Sequence, residues 1–73
     1  MRQWEHLNVI IRFNHQNGCI RETVINGKTK VYPEDAQPSI HTYLADLNKE
    51  GWDLVGIVGI DTYLFSRLVR EDN

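Results

Sequence analysis

A single cysteine, Cys19, in a chain of 73 residues rules out an internal disulfide. Secreted domains of this size commonly use several such bonds to offset a thin core, so their absence points to a reducing compartment. The chain also lacks an Asn-x-Ser or Asn-x-Thr glycosylation acceptor. No apolar run approaches the roughly 20 residues of a membrane-spanning helix. The opening Met1-Arg2-Gln3-Trp4-Glu5 has none of the apolar stretch of a signal peptide. These absences lead us to expect a cytoplasmic protein without membrane association. With only two prolines, little interrupts regular structure except around residues 33–38.

Signatures of a phosphate loop, a dinucleotide fold, a zinc protease, a calcium loop and a nucleophile elbow are all missing. The composition, 41% apolar and 25% charged, lies within the globular range. A chain this short buries only about 60% of the surface its unfolded form exposes, so one thin-cored domain spanning 1–73 is expected. Residues 1–30 carry five bases against two acids, and residues 31–73 carry three bases against eight acids. A net charge of −2 divided in this way is no polyanion-binding signature, and nucleic acid is not an expected partner.

Leu7, Val9, Ile11 and Phe13 alternate with His6, Asn8, Ile10 and Arg12, the period of an extended strand. Asn17-Gly18 and Asn26-Gly27 each offer the pair that tolerates positive φ in a type I′ hairpin turn. Strands over Cys19–Ile25 and Lys28–Tyr32 then complete a three-stranded meander. A two-residue turn at Asn17-Gly18 sets Ile11 opposite Val24, Ile10 opposite Ile25 and Phe13 opposite Glu22. A wider loop over Asn14–Gly18 is the alternative, because Glu22 is a poor neighbour for a core Phe13.

Pro33-Glu34-Asp35-Ala36-Gln37-Pro38 reads as a connector, with Pro38 suited to a first helical position. Ile40, Tyr43, Leu44 and Leu47 recur at i, i+3, i+4 and i+7, an amphipathic stripe. Gly51 is placed to cap the helix, with Trp52 folding back onto its last turn. Trp52–Ile60 and Thr62–Val69, joined at Gly59-Ile60-Asp61, form a second hairpin. The fold expected is α+β, an antiparallel sheet of four or five strands ordered as meander, helix and hairpin, with one helix on one face.

No constellation pairs a nucleophile, a base and an orienting group, so we expect no enzyme activity and no catalytic residue. His15 and Cys19 could supply two zinc ligands, but a closed site needs four, and His6 and His41 belong to other elements. Neither a metal nor a cofactor is expected. Cys19 reads as a small half-buried thiol, because nothing supplies the electropositive setting that activates one. Asp46, Glu50 and Asp53 read as solvated charges near the helix end. Tyr63 and Phe65 alternate along one strand with Arg67 beyond them, the one candidate ligand-binding set; it resembles the aromatic platforms on which single-stranded nucleic acid or a small ligand stacks.

Trp4-Glu5, the run Glu50-Gly51-Trp52-Asp53-Leu54-Val55 and the closing Tyr63-Leu64-Phe65-Ser66-Arg67 resemble the small bacterial family called domain of unknown function 4177 (DUF4177). The likeness covers the first few residues and roughly the last 35, while residues 14–37 depart from it. It implies a hairpin packed on a helix and supplies no catalytic residue, since the family has no assigned activity.

One helix cannot cover a sheet with apolar residues on both sides. Leu7, Val9 and Ile11 compete with Ile10, Leu54 and Val58 with Val55 and Ile57, and Phe65 and Val69 with Leu64 and Leu68. Surplus apolar surface of this kind leads us to expect a homodimer or a protein partner, and so a non-enzymatic interaction or accessory domain. The alternative is ligand or single-stranded nucleic-acid binding at Tyr63, Phe65 and Arg67.

Overall fold

The computed structural model describes residues 2–71, with side chains from Gln3 to Leu68. Strands β1 (Arg2–Phe13), β2 (Ile20–Ile25) and β3 (Lys28–Val31) precede helix α1 (Ile40–Lys49), and β4 (Asp53–Val58) and β5 (Thr62–Glu71) follow it. All five strands join one antiparallel sheet in the order β3-β2-β1-β5-β4. The expected α+β class and its meander, helix and hairpin are thus present, with β1 central and β3 and β4 at the edges.

The two Asn-Gly pairs behave differently. Asn26 and Gly27 both take positive φ, 50° and 83°, and Ile25 faces Lys28, as a two-residue type I′ turn requires. At the first pair only Gly18 has positive φ, 73°. Asn14 closes a wider loop instead, its N–H donating to the Cys19 carbonyl at 2.7 Å and its carbonyl accepting from the Gly18 N–H at 2.8 Å. The Asn17 side chain accepts from the Cys19 N–H at 2.8 Å and donates through its amide nitrogen to Gln37 Oε1 at 3.2 Å. Of the two expected geometries the wider loop is the one adopted, and it moves the register by one. Val9 faces Ile25, Ile11 faces Thr23, and a bulge after Arg12 sets Phe13 against Ile20 rather than Glu22.

The helix begins two residues later than Pro38. Ser39 is its N-cap, with a side-chain oxygen that accepts from the Thr42 N–H at 3.1 Å. Pro38 instead lends its carbonyl to the Ile20 N–H at 2.8 Å, which ties the connector to the start of β2. At the other end Gly51 takes φ 89°. The Trp52 N–H donates to the Leu47 carbonyl and the Gly51 N–H to the Asn48 carbonyl, both at 3.0 Å. These two bonds are a Schellman cap, which turns Trp52 back onto the helix as the residue pattern requires.

The helix packs on the face carrying Val9, Ile11 and Phe65, and with Ile20, Tyr43 and Trp52 these form the buried core. Pairing carries the same face to Leu54 through Phe65 and to Ile57 through Tyr63. A bulge at Val55 interrupts the alternation of β4, so Leu54 shares its face with Ile57 and not with Val58. The side chain of Val69, expected to accompany Phe65, lies outside those described.

Candidate functional site

Tyr63, Phe65 and Arg67 do share one face, but it is the face under the helix. Leu7, the β1 partner of Phe65, and Tyr63 pack against the buried cluster, in which the Phe65 ring is only 2% exposed. Stacking of a base or a planar ligand needs a free ring surface, and Phe65 offers none. Tyr63 is half-buried beside it.

Arg67 is the centre of a structural node. Its guanidinium lies over the Trp52 ring, 4.2 Å from the centroid. Nε donates to Glu5 Oε1 at 2.6 Å, a second nitrogen pairs with the same carboxylate, and the third donates to the Glu50 carbonyl at 3.0 Å. Glu5 stands directly opposite Arg67 in the ladder. A cation here also meets the negative end of the helix dipole. The side chain therefore ties β1, β5, the helix end and Trp52 together, and its charge is committed within the chain.

His15 and Cys19 both fall near the Asn14–Gly18 loop, His15 exposed and Cys19 half-buried. Among the described residues no group of three or more His, Cys, Asp or Glu side chains is placed to hold a metal ion. Among them, too, no helix is long and apolar enough to cross a membrane.

A groove of about 270 Å³ runs between β3 and α1, walled by Lys30 and Tyr32 on one side and Asp46, Leu47 and Glu50 on the other. Lys30 folds over the Tyr32 ring, its ammonium 5.0 Å from the centroid. Pockets that enclose small ligands commonly span about 300 to 1,000 Å³, so this groove lies just below that range. Tyr43 contributes to its floor. Its hydroxyl and that of Thr23 are buried without a well-formed hydrogen bond. Burial, chiefly, raises the Tyr43 phenol above its ordinary value of 10.0; Tyr32 adds to the rise and the nearby Thr23 hydroxyl opposes it.

The face opposite the helix is mixed rather than uniformly apolar. Ile10, Val24 and Leu64 are half-buried there, among His6, Asn8, Thr62, Ser66 and the Arg12–Glu22 ion pair, whose charged atoms lie 3.2 Å apart. The large exposed apolar side chains gather elsewhere. Leu54, Val55, Ile57, Val58 and Ile60 all stand on β4 or its turn, while Trp4, Val31 and Leu68 are scattered. Leu54, Val55, Ile57 and Val58 belong to the surplus apolar surface expected from the sequence, which did not place them at an edge. The signal was the uncharged run Leu54–Ile60, which has one meaning in a central strand and another at an edge.

Comparison with protein-family models, with curated proteins and with solved structures finds no match for this chain.

Proposed function

We propose that this protein is a non-enzymatic interaction or accessory domain that works by self-association, as a two-fold homodimer. The observation that carries the reading is the exposed apolar surface of β4 and its turn, where, among the described residues, Leu54, Val55, Ile57, Val58 and Ile60 all stand in solvent. Contiguous apolar surface on a small domain marks an interaction site, and closed two-fold pairing is the commonest way one protein covers its own. The likeness of Glu50-Gly51-Trp52-Asp53-Leu54-Val55 to the DUF4177 family belongs to the same reading, since that resemblance brings no catalytic residue with it. Binding at Tyr63, Phe65 and Arg67 is less favoured, because Phe65 is buried and Arg67 is engaged with Glu5, Glu50 and Trp52.

Sedimentation equilibrium at two concentrations either side of the micromolar range tests this. The expected mass is twice the 8.5 kDa of the chain at the higher concentration. A monomer mass at both would refute self-association.

A further inference from the structure

We propose that the second copy joins through the β4 edge, as an antiparallel β4–β4 pair that makes one continuous ten-stranded sheet across a two-fold axis. This rests on the self-association reading above and says how it is built.

The two edges of the sheet differ in kind. β3 carries Lys28 and Lys30, and charged lysines on an edge strand discourage further strand addition. β4 carries no lysine, and its one charge, Asp53, stands at its start. From Leu54 to Ile60 the chain holds no charged residue and no proline, and the five large side chains on it are between 41% and 94% exposed. An edge strand also presents one row of N–H and C=O groups without ladder partners, and those groups are satisfied by another extended backbone. The chemistry of the edge therefore specifies a strand as its occupant.

Charge and symmetry specify which strand. A two-fold axis normal to the sheet sets β4 antiparallel to its copy, and with the charge-free stretch Leu54–Val58 at its centre the strand meets itself without like-charge repulsion across the central pairs, Asp53 standing at its start. The Val55 bulge puts Leu54 and Ile57 on the helix face and Val58 on the other. Pairing thus gives apolar neighbours to exposed side chains on both faces at once. It also ends with the dimer. Each copy uses its β4 edge, and the edge strand left at either end of the joined sheet is the lysine-bearing β3. A face-to-face dimer would instead bury Arg12, Glu22, His6 and Asn8, whose polar groups sit on the open face.

Sedimentation of Ile57→Lys, Val58→Lys, Val31→Lys and Trp4→Lys, with amide hydrogen exchange of the parent at two concentrations, tests the proposal. Ile57 and Val58 are more than half exposed, so each lysine can reach water in the monomer, and an unchanged circular dichroism spectrum verifies that the variants fold. The expected result is loss of the dimer in both β4 variants and its retention in Val31→Lys and Trp4→Lys. Amides of β4 not bonded to β5 are expected to exchange more slowly at the higher concentration. A dimer that survives both β4 substitutions, or β4 exchange that ignores concentration, overturns edge pairing and leaves self-association standing. A parent that is monomeric throughout overturns both, and leaves the edge to a foreign strand.

Discussion

Trp52 does more for this fold than any other single side chain on the helix-to-β4 link. It is 8% exposed, its N–H completes the helix cap, and its ring receives the Arg67 guanidinium. Trp52→Ala is expected to remove about 3 to 5 kcal/mol of stability, as for other buried aromatics. In a domain of this size each kcal/mol moves the midpoint by about 4 to 8 °C, so a thermal melt within a degree or two of the parent would contradict the assignment. Tyr43 sets a pH dependence. Its phenol holds its proton more tightly in the fold than in the unfolded chain. The stability this contributes is complete below the unfolded tyrosine value of about 10 and is lost as pH rises through the folded value. Melts from about pH 8 to about pH 11 should therefore show the parent losing more stability than Tyr43→Phe at the alkaline end. Parallel curves for the two proteins would contradict it.

At the scale of elements, caps and turns decide where the strands and helix stop. Ser39 satisfies the Thr42 N–H, one of the four donors a helix start leaves without a partner. Ser39→Ala is expected to cost about 1 kcal/mol, read as a fall in the urea midpoint at unchanged slope. A midpoint equal to the parent's would mean water caps the helix equally well. The two Asn-Gly pairs show how far such signals reach. Asn26-Gly27 closes a hairpin whose strands leave the turn in register, so the local preference prevails. At Asn17-Gly18 the same dipeptide is overruled, because the longer loop sets the Ile20 N–H against the Pro38 carbonyl and keeps Glu22 beside Arg12 instead of under a core aromatic.

Across the whole molecule, the strand order leaves β4 as an apolar edge and β3 as a lysine-bearing one. If β4 pairs with its copy, the native state is linked to association, and the melting midpoint rises with protein concentration. A midpoint that stays fixed over a hundredfold dilution, while the mass changes, would mean that pairing adds no stability to the monomer fold.

The sequence by itself determined the local choices: the alternation of β1, the helical stripe from Ile40 to Leu47, the type I′ turn at Asn26-Gly27, and the Gly51 cap with Trp52 behind it. Each depends on φ preferences and on side-chain periods within a few residues, which are properties of the chain before it packs. Only the tertiary structure decided the rest. The β1–β2 register, the bulge that separates Val58 from Leu54, the pairing of Glu5 with Arg67 across 62 positions, and the edge position of β4 all follow from strand order and long-range packing. Phe65 and Arg67 show the difference most plainly. Their alternation placed them correctly on one face, but whether that face met water or the helix was a matter of which side the helix covered, and alternation is the same for both.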